Sequence, residues 1–124
     1  MKKIDWESYG IDVDSAEFWD HYYSTVDKTI EREKNSEPKS EAEKIRSYCD
    51  NFRKFYADLI GAENAEKVLD GIGENRREFD AVYESLLRCI HNQKAESNRR
   101  MASILLKYAP KIREENGNAA PVKR

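Results

Sequence analysis

The sequence predicts a mainly α-helical fold, a compact bundle of four to five helices preceded by a short N-terminal β-hairpin or an extended arm. Capping signatures recur along the chain, and apolar residues follow each of them at three- and four-residue steps. Only 5 Gly and 3 Pro leave little room for a sheet with many turns, and 37% charged against 39% hydrophobic residues fits helices with densely charged outer faces. With 124 residues, the chain has enough length for one domain over 1–112 with one modest core.

Met1–Val13 alternates Ile4 and Trp6, then Tyr9, Ile11 and Val13, with polar neighbours, so both pieces read as short strands turning at Glu7–Ser8. An arm anchored by Trp6 is the equal alternative. Asp14 with Glu17 forms a capping box and opens a helix over 14–33, striped by Trp19, Tyr22, Tyr23, Val26 and Ile30, with Phe18 at its edge. Asn35–Lys39 is an exposed loop closed by Pro38.

The best-specified element spans 40–60. Ser40 and Glu43 make its capping box, and Ile45, Tyr48, Cys49, Phe52, Phe55, Tyr56, Leu59 and Ile60 gather on a side broad enough to meet two or three neighbours. Gly61 provides a left-handed stop. A two-turn helix over 63–70 faces Ala65, Val68 and Leu69 inward, and Gly71–Gly73 bends tightly. Asn75 with Glu78 starts a helix over 76–92 carrying Phe79, Val82, Tyr83, Leu86, Leu87 and Ile90. The polar run Lys94–Arg100 then gives way to Met101, Ile104, Leu105 and Tyr108, a last helix over 94–109 that either continues its predecessor or breaks from it near Asn92 and stops at Pro110. Residues 113–124 lack apolar content and read as a disordered basic tail.

Charge is unevenly placed. Residues 99–124 hold seven Lys/Arg against Glu114 and Glu115, a net of +5, which leaves −7 on the rest of a chain whose total is −2. A basic end on an acidic body can dock on an acidic partner or on another copy, although a solvated end that aids solubility accounts for it equally well. The overall −2 argues against a dedicated nucleic-acid binder, with Arg99–Arg100 and the basic end as the sole features in its favour. No apolar run reaches the roughly 18–20 residues of a membrane span and no signal-peptide core follows Met1–Lys3, so the expected location is the cytoplasm of the host cell.

Catalysis needs converging groups, and few present themselves. His21 reads as a surface or half-buried histidine, and His91 as a cation near a helix end. Cys49 and Cys89 fall on apolar faces and read as small buried hydrophobes of a reducing compartment. No metal-ligand spacing, nucleophile elbow or phosphate-binding glycine loop occurs, so neither catalytic nor metal residues are assigned, no cofactor is expected, and the chain reads as a non-enzyme. The aromatics say more. Trp6, Phe18, Trp19, Tyr22 and Tyr23 crowd the N-terminal region; core packing would take most of them, and any left outside would favour association with a protein.

The acidic entry IDVDSAEFWDHYY and the block CDNFRKFYADLIGAENAEKVLDGIGENRREFDAVYESLLRCIHNQ stand in an order that resembles a known family. Cys49, Phe52, Phe55 and Tyr56 precede a GxxNAEKVLxG step at Gly61–Gly71, and an aromatic-led helix from Phe79 closes at Asn92–Gln93. From Ile11 to Gln93 this register is similar to that of the small tail assembly chaperones encoded among the tail genes of long-tailed phages and prophages of Gram-positive bacteria. The hairpin fits that pattern; the apolar helix Met101–Tyr108 departs from the charged tails of the group. The resemblance implies a protein that binds and shields the long, apolar-striped tape-measure protein, in many copies, until tail-tube subunits displace it. It implies Trp19, Tyr22 and Tyr23 as contact residues, with the basic end recruiting neighbours; Trp6, Arg99 and Arg100 are further candidate contacts with a protein partner. The rival expectation is a phage-encoded inhibitor of a host defence protein, which a small charged helical domain suits equally well.

Overall fold

The structure, a computed structural model, describes residues 3–115, with side chains as far as Tyr108. Its elements in order are a 3₁₀ turn at Trp6–Tyr9, then α1 (Ala16–Asn35), α2 (Glu41–Ile60), α3 (Ala62–Val68) and α4 (Arg76–Glu115). The helical bundle that the sequence predicts is what forms, and α2 is its centre: α1, α3 and α4 all pack against it.

Local chemistry explains where each helix begins. The Ser40 hydroxyl accepts from the Glu43 amide at 3.1 Å, and the Glu43 carboxylate reaches back to the Lys39 amide at 2.6 Å, so two donors at the α2 start are satisfied. Asn75 receives the Glu78 amide in the same way at the start of α4. At α1 the cap is one residue later than expected. Ser15, not Asp14, accepts the Phe18 amide, at 3.2 Å, because the Asp14 carboxylate is drawn across to Ser97 and Arg100 of α4. Gly61 does not adopt the left-handed helical turn expected of it. Its φ of 93° and ψ of 148° lie in a region open to glycine, which ends α2 and starts α3 with no intervening loop. Consequently α3 starts at Ala62 and ends at Val68, and a turn through Gly71 leads back to α4, held by Arg53, whose guanidinium reaches the carbonyls of Ile72 and Gly73.

Two expectations are corrected at the chain ends. Among the described residues there is no β-strand: the N-terminal hairpin is replaced by the 3₁₀ turn and an irregular run that turns at Val13–Asp14. The alternation read there is real, with Ile11 buried and Val13 half-buried, but the partner is a side chain. The Gln93 carboxamide accepts from the Val13 amide at 2.9 Å and donates to the Ile11 carbonyl at 2.9 Å, which supplies the bonds a neighbouring strand would have made. The second correction concerns the predicted helices 76–92 and 94–109, which are one uninterrupted helix. Nothing between Asn92 and Arg100 is a breaker, and Gln93, Ala95 and Ser97 are half-buried. The helix also passes Pro110, whose missing amide proton costs one intrahelical hydrogen bond, and continues to Glu115. The tail expected from residue 113 therefore loses its first three residues to α4, and 116–124 lie outside the described residues.

The core joins Trp6 and Ile11 to Phe18 and Tyr22 of α1, Phe55, Tyr56, Leu59 and Ile60 of α2, Ala65 and Val68 of α3, and Phe79, Val82, Leu86 and Ile90 of α4. Cys49 is buried with them; Cys89 is half-buried, and both are free thiols whose pKa burial pushes up. Among the described residues the buried Tyr56 hydroxyl has no hydrogen-bond partner, whereas Asn51 is paired across elements. Asn51 of α2 accepts from Arg32 Nε at 2.6 Å and donates to the Thr29 carbonyl at 2.9 Å, knitting α1 to α2. The Gln93 clamp offers a test. Gln93→Ala would orphan a backbone donor and a backbone acceptor, so urea unfolding should show a loss of about 2–3 kcal/mol. A change within about 0.5 kcal/mol would mean that water replaces the carboxamide at no cost.

Candidate protein-binding site

Helix α1 has two apolar faces. Phe18, Tyr22 and Thr25 point inward and are buried. The second face, carrying Trp19, Tyr23, Val26 and Ile30, follows steps of four, three and four, which align these residues over about 16 Å of helix. Trp19 and Val26 are half-buried, whereas Tyr23 is 59% and Ile30 49% exposed.

Trp19 is fixed before any partner arrives. Its Nε1 donates to the Val13 carbonyl at 2.9 Å, Phe18 and Tyr22 meet its ring edge-on, and the Lys94 ammonium lies 5.8 Å from its centroid. Tyr23 stacks on Trp19, with centroids 5.6 Å apart. The exposed ring thus rests on one held by a hydrogen bond and by its ring neighbours.

Two of the expected contact residues are taken by the interior. Trp6 is 2% exposed, its Nε1 bonded to Ser85 Oγ at 3.0 Å and its ring against Tyr56. Tyr22 is 8% exposed and its hydroxyl meets that of Tyr83 at 3.4 Å; burial, then that hydroxyl, push its pKa well up. Both close gaps between elements, so neither is free to touch a partner. Trp19 and Tyr23 are brought together at the surface. Arg99 and Arg100 are exposed but engaged, Arg99 with Glu96 and Arg100 with Asp14.

Position explains the histidines. His21 is exposed and its Nε2 contacts the Asp58 carbonyl at 2.8 Å, an α1–α2 tie. His91 is not at a helix end, since α4 runs through it, and the carbonyl interaction expected of it does not arise. Among the described residues no group of three or more His, Cys, Asp or Glu side chains could hold a metal ion, and no helix is long and apolar enough to cross a membrane. A cleft of about 1120 Å³ lies between the N-terminal segment and α4, lined by charges of both signs such as Asp5, Glu7, Asp12 and Arg88.

The apolar stripe predicted for the last helix lies outside the core. From Asn98 to Tyr108 every residue of α4 is exposed, including Met101 (57%), Ile104 (48%), Leu105 (61%), Leu106 (73%) and Tyr108 (52%). The signal was the uncharged run Met101–Leu106; what the sequence did not reveal is that the body ends before it.

Asp14 secures the root of this projection. Hydrogen bonds from Ser97 at 2.7 Å and Arg100 at 2.6 Å, with the Arg100 charge, hold its carboxyl below the usual aspartate pKa. A depressed carboxyl contributes stability that is complete above its unfolded value and is lost as pH falls through the folded one. Thermal unfolding of the wild type should thus retain this contribution down to the ordinary aspartate range and lose it below. Asp14→Asn should be less stable at neutral pH and show a smaller acid loss; identical acid profiles would remove Asp14 from the account.

The comparisons with known proteins add one assignment. No curated protein and no solved structure matches the chain. The model of DUF6673, a family of unknown function, matches residues 7–120, which takes in all four described helices. A match over nearly the whole length means that this chain belongs to that family.

Proposed function

We propose that this chain is a non-catalytic protein-binding domain that covers an apolar-striped helical client, in the way the sequence resemblance implies for tape-measure protein during phage tail assembly. The observation that carries the reading is the outward stripe of α1. Trp19, Tyr23, Val26 and Ile30 repeat at helical spacing; Trp19 and Val26 pack half-buried against the core, and Tyr23 and Ile30 beside them stay open to solvent. A client helix laid along it would cover the exposed half of Tyr23 and Ile30, each contributing roughly 1–1.5 kcal/mol. Recognition of this kind reads spacing and apolar content more than a particular sequence, which suits a client with many similar stripes. The working place of such a protein is the host cytoplasm, where the client is made.

The test compares the tagged wild type with Tyr23→Glu/Ile30→Glu in cells producing phage tails, by mass spectrometry of what co-purifies at modest salt. Tape-measure or tail-tube proteins should accompany the wild type and fall at least tenfold with the variant. Both positions are exposed, so the variant's melting temperature should stay close to that of the wild type. A single host defence protein in place of tail components would overturn the assembly reading in favour of an inhibitor.

A further inference from the structure

Beyond the body, α4 presents a surface that the α1 reading leaves unused. Met101, Ile104, Leu105 and Tyr108 are separated by steps of three, one and three, which place them in a single stripe. That spacing reads the same in both chain directions. A two-fold axis crossing the helix between Ile104 and Leu105 therefore sets Ile104 of one chain against Leu105 of another, and Met101 against Tyr108. We propose that this face is covered by a second copy of the chain, the two α4 projections packing antiparallel in an isologous dimer.

Three observations favour a second copy over a different protein. The first is charge. Two like-charged segments would repel, but Arg99 is paired with Glu96 and Arg100 with Asp14 within each chain, and Lys107 lies 5.9 Å from the ring of its own Tyr108. Each of the two arginines thus has a carboxylate of its own chain beside it. The second is composition: Met101–Leu106 are six consecutive uncharged residues in a chain that is 37% charged. The third is area. At the exposures given above, and taking each side chain at somewhat under 200 Å² when fully open, the stripe offers roughly 400 Å² per chain. Two chains give about 800 Å², and the flanking Arg and Lys stems bring the total to about 1,000 Å², the size at which a concentration-dependent dimer forms.

Leu106 makes the proposal specific. Although it is the most exposed of the group, it stands about 150° round the helix from the middle of the stripe. A two-stranded pair leaves it in water. Hydrophobic stickiness without geometry would use Leu106 first; the antiparallel pair does not use it.

Sedimentation velocity of the full chain across the micromolar range is the test. The wild type should approach twice the monomer mass with rising concentration. Leu105→Glu should weaken association at least tenfold, and Leu106→Glu by less than about threefold; neither position is packed in the monomer, so circular dichroism of both variants should match the wild type. In the dimer, spin labels at Asn98 should lie about 20 Å or more apart, against about 10 Å for parallel helices. A chain that stays monomeric at about 100 µM would overturn the proposal and leave the face to another protein. Equal damage from the two variants, or the short label distance, would also overturn it. Because α1 is not involved, loss of self-association leaves the client reading untouched.

Discussion

A mismatch of lengths governs this fold. Helix α4 has 40 residues and α2, its main support, has 20, which at helical rise is about 60 Å against about 30 Å. No pairing of two such helices can cover the longer one. The chain handles the surplus in two ways. Over Gln93–Arg100 the N-terminal segment takes the place of a second helix, with Gln93 holding the backbone at 11–13 and Asp14 holding Ser97 and Arg100. Beyond Arg100 none of the described residues covers α4, and the apolar residues from Met101 to Tyr108 are exposed.

The same mismatch decides what could be read from the sequence. Helix α2 was legible because its stripe is apolar from Ile45 to Ile60 and its neighbours on several sides are apolar too, so periodicity and burial agree. The three helix starts were legible to within a residue, since capping needs a particular side chain at a particular spacing. At Asp14 and Ser15 either residue could cap, and the choice was made by groups more than 80 positions away. The continuity of α4 was hidden because its covering over 93–100 is an irregular segment that meets it through polar groups. The helix there shows a polar sequence to a polar partner, and the apolar period that marks a helix disappears although the helix does not. The alternation of Ile11 and Val13 was seen correctly and its consequence misassigned, because a carboxamide takes the backbone groups at 11 and 13 that a neighbouring strand would have taken.

For the candidate site, residue type alone could not separate the aromatics. Trp6, Trp19, Tyr22 and Tyr23 are chemically alike as contact residues, and their division depends on a rotation of one residue along α1. Tyr22 turns inward to Tyr83 while Tyr23 turns out onto Trp19. Trp6 is committed by its indole N–H, which finds Ser85 on α4 and so carries the 3₁₀ turn into the core. What survives at the surface is a narrower set than the sequence offered, and its linear arrangement on α1 is more informative than the number of rings.

Two separate faces, one on the body and one beyond it, have a consequence for how a client would be held. Pairing through the α4 projections leaves the α1 stripes outside the contact, so a dimer presents two of them on bodies held apart by the paired segments. Each stripe alone is short, about four side chains, and would bind weakly. A client that repeats its apolar stripe along a long helix can engage both; once the first is bound, the second contact becomes intramolecular and its effective concentration is set by the spacing of the pair. Weak individual contacts joined in this way cover a long client without holding any one point tightly, and each can be displaced singly by a competitor that advances from one end. A client with a single stripe would gain nothing from the pairing, so avidity, more than the strength of either face, would select for length.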